Sequence, residues 1–462
     1  MSDKKQNAAL GEGAIYDAKQ LGVPKMIILG VQHMFAMFGA TVLVPALTGL
    51  SVSTTLLFAG LGTLLFHFLA KGKVPAFLGS SFAYLGGYAA VAPLKDAAGN
   101  VLDNSALLPY ACFGVACSGL LYLLLAALIK AFGAAKVMKF FPPIVTGPII
   151  IAIGLTLSKS AIDSCSTGWW IAIIAIIVVI ICNIWGKGMI KIIPIILGVI
   201  ASYVVAAVTG NVDFTPVKEA AWIGLPVAWD RTVFSIFSDL DVSLLITAVI
   251  TIMPIALATM VEHIGDISAI SSTVGKNYIK DPGLHRTLLG DGLATMMAAL
   301  FGAPANTTYG ENTGVLSLTR VFDPVVIRIA AGFAILFSFS PKIEALISAM
   351  PDATIGGVSL VLYGMISAVG VRNIVETKVD FSRSRNVIIA ALILVLSIGI
   401  NYSTAGAIAF TVAGVTIKLS GLAVGALTGI ILNAILPGKD YVFDEETPDT
   451  TGVDFQMKAG EK

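Results

Sequence analysis

Long apolar runs, separated by short polar or glycine- and proline-rich breaks, recur along the whole chain. Residues 169–185 and 386–400 are two clear examples. We count about fourteen such runs of roughly 15 to 25 residues, and an α-helix needs about 20 residues to cross a bilayer. The pattern therefore predicts an all-α polytopic membrane protein with about fourteen transmembrane segments, whose partner is a lipid bilayer.

Two of the runs do not fit a regular helix that faces lipid. Residues 75–93 are rich in Gly, Ser and aromatic residues, and residues 306–314 read NTTYGENTG, without one aliphatic side chain. Non-helical backbone is tolerated at membrane depth only where protein covers it or where it lines a cavity. We therefore expect two broken spans buried inside the protein.

Composition supports the membrane prediction and excludes other classes. Only 12% of the 462 residues are charged, about half the share of a soluble domain, and the mean hydropathy is +0.90. A net charge of +1 leaves no basic excess for binding nucleic acid. The four cysteines lack metal-ligand spacing and are interpreted as packing residues. We expect no metal, no cofactor and no enzymatic nucleophile.

The placement of Lys and Arg predicts the orientation in the membrane. With fourteen spans both termini lie on one side, and the loops on that side carry sixteen Lys and Arg, against six in the opposite loops. Cytoplasmic loops carry the excess of basic residues. Both termini are therefore predicted to be cytoplasmic, in a protein of the cell membrane.

A weak internal repeat relates the two halves of the chain. Pro75 and Pro304 open the two irregular runs and lie 229 residues apart, as do His33 and Glu262. Halves of seven spans each start on opposite sides of the membrane because seven is odd, which makes an inverted repeat. Secondary transporters with this arrangement bind substrate near the midplane at broken helices, so the irregular runs predict the binding site.

The strongest candidate chemistry is the pair Glu262 and Asp266, which follow an apolar run. Their i, i+4 spacing places both carboxylates on one helical face. Two poorly hydrated like charges disfavour double ionisation, which suits a proton-coupling role for Asp266 and Glu262. The alternative is that the span has ended and both side chains are solvated. Acids inside a membrane are functional by default.

The irregular runs supply further candidates for ligand contact. Glu311 lies between Gly310 and Gly314, which allow backbone to approach a ligand closely. Residues 306–308 are expected to cap a half-helix whose N–H groups face the substrate. The alternative is a polar loop outside the membrane. In the first run, backbone at residues 81–83 is expected to face a planar ligand.

Aromatic and histidine side chains are more ambiguous. Phe82, Tyr84 and Tyr309 either line the ligand or pack. His33 is interpreted as a buried residue bonding across helices, with a proton relay as the alternative. His263 points away from the acidic face and is interpreted as structural. His67 and His285 are expected at the membrane edge and in a loop.

Several motifs, in this order, resemble the nucleobase–cation symporter family, the nucleobase–ascorbate transporters, and within it bacterial uracil permeases. They are QHMFAMFGATVLVP (32–45), PAFLGSSFAY (75–84), EHIGD (262–266), DPGLHR (281–286) and NTTYGENTGV (306–315). The resemblance covers roughly residues 24–436. It implies import of uracil by proton symport, with a purine (xanthine or uric acid) proton symporter as the alternative, and a homodimer.

The resemblance also implies a fold of two inverted seven-span repeats. Spans 3 and 10 are the broken ones, each with a short strand. Spans 1–4 (residues 24–131) and 8–11 (241–348) form a core domain, and spans 5–7 (140–209) and 12–14 (350–436) form a gate domain. Residues 1–23 are a cytoplasmic segment, 210–240 an extracellular loop and 437–462 a cytoplasmic tail.

For the site, the resemblance implies that Glu262 and Glu311 bond the substrate ring. Backbone groups at Phe82 and Gly310 complete the set, and Tyr309 lines the pocket. The best-known uracil permeases have His where this chain has Asp266, and that His is implicated in proton coupling. An acid at this position occurs in relatives that transport purines.

Overall fold

A computed structural model describes residues 14–95, 100–404, 406–412, 415–439 and 441. The helices of the first half are α1 (Val23–Thr48), α2 (Val52–Leu69), α3 (Leu85–Val91), α4 (Leu108–Phe132), α5 (Ala134–Met138), α6 (Pro143–Ser166), α7 (Trp169–Ile184), α8 (Met189–Ile192), α9 (Pro194–Val208) and α10 (Thr215–Glu219). Those of the second half are α11 (Val242–Ile252), α12 (Ala256–Val274), α13 (Leu284–Leu300), α14 (Gly310–Thr319), α15 (Pro324–Ser338), α16 (Pro341–Ser348), α17 (Asp352–Glu376), α18 (Ser384–Asn401) and α19 (Gly421–Ile435).

Short elements complete the fold. The strands are β1 (Leu78–Ser80), β2 (Asn306–Thr308), β3 (Ala407–Val412) and β4 (Val415–Ser420). Turns of 3₁₀-helix occur at Ala18–Leu21, Phe82–Tyr84, Trp229–Arg231, Val233–Ser238 and Met253–Ile255, and a π-helical turn at Ile279–Gly283.

The helices confirm a polytopic α-helical membrane protein. Within the described residues, seven helical segments are long and apolar enough to cross a bilayer, including the continuous pair α11 and α12. The pair α15 and α16, bent by 85°, makes an eighth if it counts as one span. Shorter apolar helices, α7, α9, α19 and Phe82–Val91, lie between them.

The two predicted broken spans meet in the middle of the molecule as paired strands. β1 and β2 are antiparallel, with Leu78 opposite Thr308 and Ser80 opposite Asn306. The Tyr309 N–H donates to the Phe77 carbonyl at 2.9 Å and extends the pairing by one residue. The expectation of a side-chain cap at residues 306–308 is wrong, because these residues form β2 and α14 begins without a side-chain cap.

Polar side chains of neighbouring helices support the strand pair. The Asn306 side-chain amide donates to the Phe58 carbonyl of α2 at 2.6 Å. Thr295 of α13 donates to the Asn306 carbonyl at 2.6 Å, and Thr63 of α2 accepts from the Leu78 N–H at 2.9 Å. Because backbone groups left unpaired at membrane depth are expensive, these contacts explain why buried Thr and Asn flank the strands.

The helices pack in two groups around this centre. In the first, α13 packs against α2 and α4, and α15 packs against α1 and α2. In the second, α17 packs against α6 and α7, and α18 and α19 pack against α6. We call α1–α4 with α11–α15 the strand group, and α6–α9 with α17–α19 the flanking group. Helix α12 of the strand group also contacts α6 and α19.

A second strand pair was not anticipated from the sequence. β3 and β4 form an antiparallel hairpin between α18 and α19, and β4 packs against α11 and α3. Residues 407–420 read AIAFTVAGVTIKLS, rich in the β-branched residues that favour strands. Residues 405 and 413–414 lie outside the described part of the chain.

Close packing of α4 on α13 depends on glycine. A Cβ on Gly292 would clash with the Cβ of Tyr122. We expect Gly292→Val to destabilise the protein by about 1–3 kcal/mol, because overpacking forces the helices apart. The midpoint of thermal unfolding in detergent measures the effect.

The matched control is Gly332→Val in α15, where a Cβ meets nothing within 4 Å. We expect this variant to unfold at nearly the wild-type temperature. Equal destabilisation by the two variants would contradict a specific α4–α13 contact.

Candidate functional site

A cavity lies between the strand group and the flanking group, beside the paired strands. It spans about 750 Å³ of space not occupied by atoms, part of which is open to solvent. From the strand group it is lined by Ser80, Ser81, Phe82, Glu262, Gly265, Asp266, Thr307, Thr308, Tyr309 and Gly310. From the flanking group it is lined by Ile150, Leu362, Met365, Ile366 and Val369.

Residues predicted from different parts of the sequence meet in this cavity. Glu262, Asp266, Phe82, Tyr309 and Gly310 all line it. The alternative that the span ends before the two acids does not hold, because α12 continues to Val274. Asp266 is only 9% exposed, so it lies at a buried surface and not at a solvated helix end.

Glu311 is the second residue of α14, next to cavity-lining Gly310. Its side chain lies outside the described part of the structure, so its contact with substrate stays a prediction. The backbone placement rules out the alternative of an external polar loop, since residues 306–319 form β2 and α14 in a largely buried environment.

Two half-helices begin at the cavity. One runs over Phe82–Val91 directly after β1, and the other is α14, directly after β2. The first residues of both, Phe82 and Gly310, line the cavity. Because the first N–H groups of a helix have no partner within it and carry partial positive charge, these two ends are suited to donate to carbonyl oxygens of a ligand.

Tyr309 braces the strands as well as lining the cavity. Its hydroxyl donates to the Ser80 carbonyl at 2.8 Å, and its ring lies over Gly79, where a Cβ would come within 2.5 Å of the ring. Thr41 of α1 lies 3.4 Å from the same hydroxyl. Tyr309 thereby ties α14 to the first broken span and to α1.

A chain of polar atoms leads from the cavity into the strand group. The Thr308 hydroxyl donates to Asp266 Oδ2 at 3.0 Å and lies 3.3 Å from His263 Nδ1. The same His263 nitrogen is 3.5 Å from Asp291 Oδ2. Since a hydroxyl has one proton, Thr308 accepts from His263 when it donates to Asp266. Asp266, Thr308 and His263 then form a hydrogen-bonded set, and Asp291 lies next to it at the His263 ring.

Asp291 is a functional candidate that the sequence reasoning missed. It is 0% exposed in α13, and neither carboxylate oxygen has a hydrogen-bond partner among the described residues. A buried carboxylate without a hydrogen bond is expensive, so Asp291 is a candidate for a functional role. The sequence did offer one signal: Asp291 is a single acid within the helix LHRTLLGDGLATMMAAL. Acids inside a membrane are functional candidates by default.

The structure also shows where the other histidines and Tyr84 lie. His33 is buried, and the Asn312 side-chain amide of α14 lies 3.2 Å from His33 Nδ1, which agrees with bonding across helices. His67 lies in the last turn of α2 and is buried, with Nε2 2.8 Å from the Ala76 carbonyl. His285 lies in the first turn of α13 and not in a loop. Tyr84 points away from the cavity, towards Thr259.

A multi-spanning helical protein with a buried polar cavity at two broken spans belongs to the class of membrane transporters. Residues 24–406 match the Xan_ur_permease family model, described as "Permease family". The chain belongs to this family, and it is a permease rather than an enzyme.

Curated relatives of the same length support this assignment. The chain is 40% identical over 446 residues to the uracil permease of Bacillus caldolyticus, an alignment that covers 92% of this chain and 96% of the relative. It is 39% identical to the uracil permease of Bacillus subtilis, with 92% and 94% covered, and 36% identical to that of Escherichia coli K12, with 92% and 96% covered.

Solved structures confirm the fold. The structure of SLC26A9 matches with a TM-score of 0.61 at 13% identity, covering 91% of this chain and 66% of that chain. The transmembrane domain of the cyanobacterial bicarbonate transporter BicA matches with a TM-score of 0.54 at 14% identity, covering 91% and 99%. These neighbours have the same 7+7 inverted-repeat fold, as the sequence predicted. At such low identity the likeness concerns the fold alone.

We expect Tyr309→Phe to lower the free energy of unfolding by about 1 kcal/mol, because the hydrogen bond to the Ser80 carbonyl is lost. Thermal unfolding in detergent measures this. Tyr88→Phe is the control, since the buried Tyr88 hydroxyl makes a weak contact with Cys112 Sγ at 3.8 Å. A larger loss for Tyr88→Phe would contradict the bracing role of Tyr309.

Proposed function

We propose that this permease imports uracil by proton symport. The observation that carries the proposal is the cavity, in which carboxylates of α12 lie beside the open ends of two half-helices. Relatives named uracil permease, aligned over about nine tenths of the chain, support the choice of substrate.

The groups around the cavity complement uracil. Uracil has two ring N–H donors and two carbonyl acceptors. Glu262, with Glu311, accepts from the ring N–H groups, and the backbone N–H groups at Phe82 and Gly310 donate to the carbonyls. Tyr309 forms part of the pocket wall. A buried site that hydrogen-bonds its ligand strongly rejects analogues that leave its polar groups unpaired.

Proton coupling follows from the acids at the cavity. Asp266 lies next to Glu262 and binds a proton together with substrate. A buried site disfavours two ionised carboxylates side by side, so one of the pair takes up a proton. The hydrogen bond from Thr308 holds the Asp266 carboxylate at the cavity. Here Asp266 takes the place of the usual histidine.

Transport requires the cavity to face each side of the membrane in turn. The strand group carries all the polar groups of the site, so it moves as the core domain against the flanking group, which is the gate domain. The permease works in the cell membrane as a homodimer, with both termini in the cytoplasm. Asp266 is also the feature that favours the alternative substrate, since purine-transporting relatives have an acid there.

Radiolabelled uracil uptake into proteoliposomes tests the proposal. With an inward proton gradient, we expect uptake that a protonophore abolishes and that excess xanthine leaves intact. Empty liposomes and outward gradients are the controls. Absence of uracil uptake would overturn the proposal, and a strong block by xanthine would reassign the protein as a purine permease.

We expect Glu262→Gln to abolish uracil uptake and to weaken uracil binding by about 10- to 100-fold, because a charged acceptor is lost. Glu311→Ala is expected to abolish binding. Scintillation proximity binding with purified protein measures affinity. Glu219→Gln, in the exposed helix α10, should behave as wild type. Near-normal uptake by Glu262→Gln would rule out its contact with substrate.

We expect Asp266→Asn to retain uracil binding within about tenfold but to lose acceleration of uptake by a proton gradient, because the amide cannot take up the coupled proton. The measurement is uptake across a series of external pH values. Asp163→Asn removes an exposed carboxylate that pairs with Lys159 and should leave the profile unchanged. A wild-type pH profile in Asp266→Asn would contradict the coupling role.

A further inference from the structure

The cavity has two chemically opposite walls. Every described polar side chain that lines it belongs to the strand group. These side chains come from β1, β2, α12 and the residues directly after the two strands. The flanking group contributes only aliphatic side chains: Ile150 from α6 and Leu362, Met365, Ile366 and Val369 from α17. We call these five residues the aliphatic wall.

The aliphatic wall is a regular feature of α17. Its four members there follow the spacing i, i+3, i+4 and i+7, which lines one face of a helix. Met365, Ile366 and Val369 are only partly buried, because the cavity leaves one side of each open. Ile150 and Leu362 are buried in the hydrophobic core, so the exposed part of the wall is formed by Met365, Ile366 and Val369.

A one-sided site restricts how a nucleobase can lie in it. In uracil the four polar groups occupy consecutive ring positions (N1–H, C2=O, N3–H and C4=O), and C5–H and C6–H form one apolar edge. A ligand that satisfies the acids and the half-helix N–H groups must direct its polar positions to the strand group. Its C5–C6 edge then faces the aliphatic wall. Because this edge and the wall are both apolar, their contact buries no polar group without a partner.

We propose that the aliphatic wall contacts the C5–C6 edge of the substrate and sets the selectivity of the permease among nucleobases. This inference rests on the proposed function and deepens it. A purine such as xanthine carries imidazole nitrogens on the edge that would replace C5–H and C6–H. Those nitrogens would be buried against aliphatic carbon without partners, so the wall disfavours purines. A substituent at C5 would press on the wall.

Met365 is the most informative residue to change. It lies in the middle of the stripe on α17, and its truncation opens space opposite C5. The experiment measures displacement of radiolabelled uracil from purified protein by unlabelled thymine, which is 5-methyluracil, and by xanthine. We expect wild type to bind thymine much more weakly than uracil. Met365→Ala should narrow that difference by about tenfold, the scale on which a pocket discriminates one methyl group.

Two controls separate the wall from general loosening of the helix. Met365→Leu conserves volume and should keep the wild-type ratio of thymine to uracil affinity. Val371→Ala changes an aliphatic residue of α17 that is 50% exposed and does not line the cavity. It should also keep the wild-type ratio of thymine to uracil affinity. If Met365→Ala no longer binds uracil, the same measurement is made with Val369→Ala.

The outcomes are distinct from those of the uptake experiment. Failure of wild-type protein to bind uracil overturns the proposed function itself. If wild type binds uracil, equal affinity for thymine overturns this inference, because the wall then excludes nothing. An unchanged thymine-to-uracil ratio in both truncated variants overturns it as well. A narrowed ratio in the truncated variants alone is the expected result.

Discussion

The antiparallel pairing of β1 with β2 is the contact on which the rest of the site depends. A span that stops being helical at membrane depth exposes backbone groups that lipid cannot satisfy. Here each broken span satisfies the other, with Leu78 opposite Thr308 and Ser80 opposite Asn306. Side chains of α2 and α13 bond two further backbone groups of the strands: Thr63 accepts from the Leu78 N–H, and Thr295 donates to the Asn306 carbonyl. Only because this pairing is complete do two half-helices begin in the middle of the molecule.

The pairing also determines the chemistry of the cavity. It sets the first N–H groups of Phe82–Val91 and of α14 beside one space, and α12 brings its two acids to the same space. The polar side chains that line the cavity consequently all belong to the strand group. The opposite wall, from α6 and α17, is aliphatic.

Asp266 and Asp291 illustrate the electrostatic constraint. Both acids are buried, and two negative charges in one low-dielectric region repel strongly. Thr308 and His263 connect them through contacts of 3.0, 3.3 and 3.5 Å. His263, interpreted as structural from its position on the helix, is part of this connection.

Local patterns in the sequence were enough to predict the class of the protein, the two broken spans and the acids Glu262 and Asp266 of the cavity. Apolar runs of spanning length require a bilayer, and polar, glycine-rich breaks in them require a buried site, so both follow from composition along the chain. The 229-residue spacing of Pro75 and Pro304 indicated the inverted repeat, and the family resemblance added the short strands. Asp291 was overlooked because one acid in a helix has no distinctive spacing. The roles of residues 306–308 and of the β3–β4 hairpin depend on partners far away in the chain, as does the aliphatic wall. Only the tertiary structure decided these features, because strand pairing and cavity walls are made by contacts between segments that no local pattern relates.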